Sequence, residues 1–516
     1  MRMKWLALLL VAGASAATAS EGIDLIIRGG TIYTGSDAPF VGDVAVSEDR
    51  IVAIGSRLRG RAARVVDARG MIVAPGFIDP HAHLGEPLAS SDARERLIPG
   101  FLMQGVTTAL IGNDGGGDPD VAAVLGRAGA YPVGINYGAF VGFGPVRRAV
   151  IGEADRAPTA EELARMRAMV ARAMCQGALG LSTGLFYAPQ SFARTDEVVA
   201  LAREAAARGG VYDSHLRDES SYSVGLAAAV EEAITIGREA GLPVNISHIK
   251  ALGVDVHGRA PAIIARIDAA RRAGQRITAD QYPWSASGTS LVAALVPRWA
   301  QDGGREALLR RFDDAGEAAR LRTQMAENLR RRGGAQTLLI TEGRHRGRRL
   351  SEVAGTADPI AAAITAIREA DASVVSFNQT EADIEAFMRQ PWVMSGSDAS
   401  EGHPRAYGSF ARLYSEYVRR RGVLTLRAFI ERSTSLPADT FGLVDRGRLR
   451  AGAFADIIVF DPRAYAAQAT YEQPTALATG VRAVFVNGVA AVENGALTGA
   501  GAGRGLAHRP PAGRCP

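Results

Sequence analysis

The sequence predicts an α/β protein, a (β/α)8, TIM-like barrel carrying a small β-sandwich, and three observations predict it. Across residues 75–449, apolar strand-like runs alternate with Ala- and Arg-rich helical stretches, the pattern of a parallel barrel. Residues 22–74 and 450–498 share a different texture, short β runs separated by Gly-Gly and Gly-Ser turns. Histidine and aspartate collect where strand-like runs end, which is where such a barrel presents its active site.

The two β-rich ends are taken as one sandwich. Leu25–Ile27, Asp43–Val46 and Arg50–Ile54 supply the first half, and Asp456–Phe460 and Val481–Gly488 the second. A length of 516 residues would suit three domains of ~150, but α/β barrels run to ~250 residues or more as one unit, so a barrel with one companion suffices. The basic, helical stretch at about 301–349 reads as an insertion, either a lid over the site or a surface excursion. From Gly499 to the end, Gly, Pro and Ala dominate, and a flexible tail is expected over 499–516.

Residues 1–19 read as a signal peptide. Arg2 and Lys4 give a positive start, Trp5–Ala12 an apolar run too short to span a bilayer, and Ala17-Thr18-Ala19 a cleavage pattern. Export to the periplasm or medium is therefore expected. The two cysteines, Cys175 and Cys515, make no disulfide framework, and free thiols are expected because a bond would tie a tail to a mid-chain helix.

Composition excludes several classes. Hydrophobic residues make up 47% and charged residues 22%, and 59 basic against 54 acidic residues leave only +5, spread along the chain. The densest basic runs, Arg330–Arg332 and Arg419–Arg421, lack interleaved aromatics and read as solvated helix faces, so no nucleic-acid partner is expected. No membrane span is expected either, and oligomeric state leaves no sequence signal.

The chemistry begins in the run Met71–His83. Side chains alternate along a strand, so His81 and His83 face one site, the arrangement of two metal ligands. Val211–His215 and Val244–His248 each end a short apolar run on a further histidine, so four of the eight histidines occupy strand ends. His257, His345 and His508 follow turn-like or basic stretches and read as surface residues. Trp392–Asp398 ends on an aspartate that is either a helix N-cap or, beside four such histidines, a carboxylate positioned to take a proton from a metal-activated water.

These residues sit in longer strings: Pro75–His83, Ser182-Thr183-Gly184-Leu185 with Tyr187 and Pro189, and His215-Leu216-Arg217-Asp218-Glu219. Ser247-His248-Ile249-Lys250, Asp280-Gln281-Tyr282-Pro283-Trp284, Ser397-Asp398, His403-Pro404-Arg405-Ala406-Tyr407-Gly408 and Ala451–Ile457 continue the series. Together they resemble the D-aminoacylase (N-acyl-D-amino-acid deacylase) family of the amidohydrolase superfamily, over essentially the whole chain after the leader. The resemblance implies a zinc site at the barrel mouth, for one Zn2+ ion or two. His81 and His83 would serve one position, His215 and His248 the other, with Asp398 as general base and ligand. Where the family's second-strand motif reads Gly-Asn-Cys-Gly, this chain has Gly112-Asn113-Asp114-Gly115, and Asp114 would bridge through carboxylate oxygens, harder ligands than a thiolate. Gly177–Gly184 holds no lysine for a carbamylated bridge.

The implied reaction is cleavage of an N-acyl-D-amino acid by a metal-activated water, giving a D-amino acid and a carboxylate. The substrate's own carboxylate needs a cation and hydroxyl donors. Lys250, two residues past His248, is the first choice, with Tyr187, Tyr282 and Arg405 as partners. Gly288 stands where the family has a hydroxyl, a departure that bears on side-chain preference. Alternatives on the same site are a cyclic amide hydrolase of the dihydroorotase or hydantoinase type and a dipeptidase for D-residue peptides. A non-catalytic ligand-binding barrel is the alternative from another class.

Overall fold

In the computed structural model, which describes residues 22–515, the run Met71–His83 is not one strand. Ile72–Pro75 belongs to the terminal sheet, antiparallel to Ile457–Phe460, and the first barrel strand starts only at Phe77. The division falls at Gly76, where a Cβ would lie 2.2 Å from Thr107 Oγ1, so the chain passes the neighbouring strand only without a side chain. The signal peptide expected over 1–19 lies outside the described residues.

Eight strands form the barrel: β1 (Phe77–Asp79), β2 (Val106–Ile111), β3 (Asn136–Ala139, continued by Val141–Gly142), β4 (Gly180–Gly184), β5 (Val211–His215), β6 (Val244–Ile246), β7 (Ile277–Gln281) and β8 (Val393–Ser395). Each pairs in parallel with the next. Closure comes just past the ends of β8 and β1, where Asp398 N donates to His81 O at 2.9 Å and His83 N to Ala399 O at 3.1 Å. β2, β4 and β5 are buried at every residue, as strands covered on both faces require. Outer helices follow their sequence signals. Ala160–Cys175 starts with a Thr159–Glu162 capping box and buries Met166, Val170, Ala173 and Met174, one stripe of its surface.

The terminal segments form one continuous nine-stranded mixed sheet. Leu25–Ile32 pairs antiparallel with Phe40–Ser47 and parallel with both Arg64–Asp67 and Ile72–Pro75, so the sheet branches there. Strands of both chain ends, through Ile27, Val44, Ile457 and Phe485, close on a single apolar core. Asp456 fastens this unit to the barrel, accepting from Arg446, from Asn136 Nδ2 of β3 at 3.2 Å and from Asn487 N at 2.8 Å.

Between β7 and β8 lies a unit larger than the 301–349 insertion read from sequence. Ala286–Ser290, Leu338–Ile340 and Ser373–Phe377 make an antiparallel sheet, and the helices among them pack a separate core around Leu291, Leu321, Leu338 and Ile367. Its first strand, Ala-Ser-Gly-Thr-Ser, is too polar and small to register as a β run, which is why the sequence boundary fell short.

The C-terminal segment departs from expectation twice. Instead of hanging free it runs along the barrel, with Gly503 N donating to Val133 O (2.9 Å), Leu506 N to Tyr137 O (2.7 Å) and His508 N to Gly177 O (2.9 Å). Cys515 is not a free thiol: it is bonded to Cys175, with the Cα atoms 5.6 Å apart. Composition misleads here because backbone hydrogen bonds and one covalent link, not a periodic apolar face, hold the segment. No helix among the described residues is long and apolar enough to cross a membrane.

Replacing Cys175 by serine is expected to lower stability by about 2–4 kcal/mol and to speed tryptic cleavage after Arg504, which Gly505 follows. Denaturant titration and timed digestion check this; unchanged midpoint and cleavage rate would show that the link contributes nothing.

Candidate metal centre and active site

Every barrel strand delivers its C-terminal end to one rim, and the chemistry-bearing residues follow. His81 and His83 leave β1, Asp114 leaves β2, His215 ends β5, His248 and Lys250 follow β6, and Asp398 follows β8. Three of these positions require an unusual backbone: Asp114 (φ 55°), His248 (φ 35°) and Asp398 (φ 50°) all lie in the left-handed region. Such residues cost about 1–3 kcal/mol each and persist only where their surroundings hold them. Around Asp114 that holding is visible. Gln190 Nε2 donates to the Asp114 carbonyl (3.0 Å) while its Oε1 accepts from Gly184 N (2.7 Å). Gly115, at φ 68°, admits Gln190 because a Cβ there would stand 1.9 Å from Oε1.

The turn puts the Asp114 carboxylate at the centre of four imidazoles. Oδ1 lies 3.4 Å from His81 Nε2, 3.4 Å from His215 Nδ1 and 3.2 Å from His248 Nε2, and Oδ2 lies 3.4 Å from His83 Nε2. Asp398 Oδ1 is 3.2 Å from His83 Nε2 and 3.6 Å from His81 Nε2. These separations exceed the ~2.7–2.9 Å of good charge-assisted hydrogen bonds. Both ring nitrogens of His81 and of His215, and Asp114 Oδ1, are buried without a hydrogen-bond partner. Unsatisfied donor atoms converging on shared space fit a cation that all can ligate. One ligand atom each from His81, Asp114, His248 and Asp398 lies within 4.8 Å of the others, and the same holds for His215, Glu219 and His248. An all-nitrogen-and-oxygen set of this kind suits Zn2+.

The electrostatics agree. Burial opposes charge on all these groups, yet mutual attraction prevails at most of them. Against desolvation, Asp114 and Asp398 hold the partly exposed His83 imidazole up at about 9, and Asp114 and Glu219 hold the buried His248 up at about 10. Asp114 and Asp398 stay far below the usual carboxylate range against burial, the first through the histidines and the second chiefly through Arg405. His215 is lowered, burial winning there. The cluster is thus a buried set of carboxylates that demands positive charge.

Beneath it runs a second set of carboxylates that aims the ligands. Asp280 Oδ1 accepts from His248 N at 2.9 Å, and Asn245 Nδ2 ties Asp280 to Asp213 at 2.8 and 2.9 Å. Asp79 Oδ1 receives His81 N (3.2 Å) and Ser397 N (3.0 Å), joining β1 to β8.

Glu219 is the functional side chain that the sequence reading missed. It accepts from Lys250 Nζ at 2.5 Å and sits 3.2 Å from His248 Nδ1. Its signal was its place in the string that His215 opens. Asp213 was also legible, since it shares a strand face with His215 by alternation. Lys250, singled out for the substrate carboxylate, lies against Glu219 and 2.7 Å from His248 Nδ1. Arg405 Nη1 donates to Asp398 Oδ2 at 2.6 Å. Its guanidinium and Lys250 Nζ flank the ring of Tyr282, at 5.1 and 5.8 Å. Tyr187 stacks edgewise on His215, with centroids 4.8 Å apart. A Cβ at Gly288 would stand 3.1 Å from Arg405 Nη2, so the glycine leaves that guanidinium room. His257, His345 and His508 do not join the cluster, whereas His403 braces the Arg405 turn by accepting from Arg405 N at 3.1 Å.

The site opens into a cavity of about 350 Å³ walled on its outer side by the insertion, through Ser287–Ser290, Thr341 and Ser373–Val375. Arg332, read from sequence as part of a solvated basic face, is instead buried in this wall.

Comparison with known proteins follows this geometry. The profile of the amidohydrolase family matches residues 136–492. The chain is 35% identical to a D-aminoacylase of Alcaligenes xylosoxydans xylosoxydans, over 95% of this chain and 98% of the relative. A structure of N-acyl-D-glutamate deacylase from Bordetella bronchiseptica, complexed with zinc and a phosphonate mimic of the tetrahedral intermediate, superposes with TM-score 0.81 and 32% identity, covering 94% of this chain and 100% of that one. A D-aminoacylase structure with a binuclear metal centre gives 0.80 and 31% over the same shares.

Asp114→Ala is expected to weaken zinc binding at least about tenfold while far-UV circular dichroism stays unchanged. Competitive titration against a chromophoric chelator measures it; full zinc affinity in the variant would remove Asp114 from the ligand set.

Proposed function

Because the chain belongs to the D-aminoacylase branch of the amidohydrolase family, we propose that it hydrolyses the amide bond of N-acyl-D-amino acids with zinc as cofactor. The observation that carries this reading is the Asp114 carboxylate within 3.4 Å of four strand-end imidazoles, with Asp398 beside two of them. His81, His83, Asp114 and Asp398 would hold one ion, and His215, His248 and Glu219, with Asp114 again, would be the ligands available to a second. Zinc, when bound, polarises the scissile carbonyl and makes water acidic enough to lose a proton near neutral pH.

The chain's own residues do the rest. Asp398 takes the proton from the attacking water on Oδ1 and returns it to the departing nitrogen. Arg405 keeps that carboxylate ionised and oriented by holding Oδ2. Lys250 does the same for Glu219. Burial keeps the Tyr187 and Tyr282 phenols protonated well past neutral pH, so both offer O–H donors to a substrate oxygen. The insertion walls one side of the cavity, which sets these groups in surroundings of lower dielectric than open water and strengthens each interaction.

Zinc-loaded protein is expected to release free amino acid from N-acetyl-D-amino acids and not from their L-enantiomers. In the same assay Asp398→Asn is expected to lose about 10²–10⁴-fold in kcat with zinc content largely kept. Inactivity of the wild type on the D-series would redirect the reading to cyclic amides, and loss of both zinc and fold in the variant would make Asp398 structural.

We also propose that the chain is exported. The charged, apolar and small-residue pattern of residues 1–19 supports this, and so does the Cys175–Cys515 bond, of a kind that persists in oxidising compartments. N-terminal sequencing of the mature protein is expected to start at Ser20; an intact Met1 in a cytoplasmic fraction would contradict export.

A further inference from the structure

Three cations of lysine and arginine line the cavity, and two are engaged: Lys250 with Glu219 at 2.5 Å and Arg405 with Asp398 at 2.6 Å. Arg332 is different. It follows the insertion helix Ala318–Arg331 and is only 1% exposed. Its Nε donates to Ala294 O at 3.1 Å, its Nη1 is buried with no partner, and among the described residues no carboxylate pairs with it. Beside it stands Tyr222, whose ring centre is 5.6 Å from the guanidinium and whose hydroxyl is likewise buried and unpartnered. Both side chains line the cavity.

The charge in this corner is relieved only at a distance. Buried Asp218 acts on Arg298 and Tyr222, but its oxygens accept from the N–H groups of Ser220, Ser223 and Gly225 and pair with neither Arg298 nor Arg332. The Arg298 guanidinium lies 3.8 Å over the Phe186 ring and donates to the carbonyls of Ala293 and Val296, not to a carboxylate. Phe186 in turn touches Tyr222 and His215, with centroids 5.7 and 5.6 Å away, so the corner adjoins the metal ligands. The other carboxylates on the cavity wall do not neutralise it: Glu342 accepts from Ser373 Oγ at 2.9 Å, and Glu401 is exposed. A buried guanidinium without a counter-charge is costly and stays charged, so it demands an anion from the cavity.

We infer that Arg332 Nη1 and Tyr222 Oη bind a carboxylate of the substrate. This rests on the proposed amide hydrolysis and adds an anion-recognising pair in and beside the insertion to the strand-end cations that share the cavity. The carboxylate has two sources, the α-carboxylate common to all N-acyl amino acids or a second carboxylate on the side chain.

Arg332→Met and Tyr222→Phe separate them, assayed as zinc-loaded full-length protein on N-acetyl-D-leucine, N-acetyl-D-glutamate and N-acetyl-D-leucinamide. An α-carboxylate site predicts that Arg332→Met raises KM about tenfold or more for both acids and spares the amide. A side-chain site predicts that rise for the glutamate derivative alone. Tyr222→Phe, which removes one hydroxyl, is expected to follow the same pattern more weakly. Unchanged KM values, or equal losses on acids and amide, overturn the inference. If the wild type turns over none of the three, the functional reading fails, and calorimetry with D-leucine, D-glutamate and D-leucinamide decides Arg332 separately. Preference for an acid over the amide that vanishes in Arg332→Met supports the site; no preference, or one that survives the substitution, refutes it.

Discussion

The convergence of the largely buried Asp114 carboxylate and the four imidazoles around it on space that a shared cation would fill is the constraint on which the site depends. A carboxylate taken from water is costly unless charge and hydrogen bonds compensate it, and here compensation comes from the ends of three different strands. Each must arrive to within about an ångström. That constrains the chain widely: a left-handed residue at 114, a glycine after it, Gln190 bracing its carbonyl, and β8 closing on β1 so that Asp398 meets His81 and His83. A carboxylate can hold this centre in place of a thiolate because both are anionic and both ligate zinc, and its two oxygens reach imidazoles on both sides.

The surrounding parts supply rigidity and enclosure. The terminal sheet is anchored through Asp456 to β3, and the tail lies along the same strand, joined to it through Asn136 and to the helix before β4 through Cys515. Neither approaches the chemistry; both fix the frame that carries it. The insertion has a core of its own and borders the cavity with small polar residues and one buried guanidinium.

Much of this was legible before any coordinates. Two histidines spaced by two after an apolar run, two more at strand ends and an aspartate after β8 point to side chains that the structure brings together, because strand alternation leaves few other places for them. What escaped did so for physical reasons. Glu219 is brought in by a loop rather than by strand alternation, so nothing in its spacing marks it. Gly76 divides a run that is uniformly apolar because both halves are buried, one in each domain. The Cys175–Cys515 link is a contact between distant segments, and the tail's order comes from backbone hydrogen bonds to which composition is blind. Arg332 reads as one of three surface arginines, yet the end of its helix turns it inward while Arg330 pairs outside with Asp255 and Glu327.

The most direct test of the central claim is anomalous diffraction from crystals of the zinc-loaded protein, recorded either side of the zinc edge. The account predicts a peak bounded by His81, His83, Asp114 and Asp398, with any second peak among His215, His248, Glu219 and Asp114, and ligand distances of about 2.0–2.2 Å. A map with zinc only at surface residues, and Asp114 bonded directly to protonated imidazoles, would contradict it.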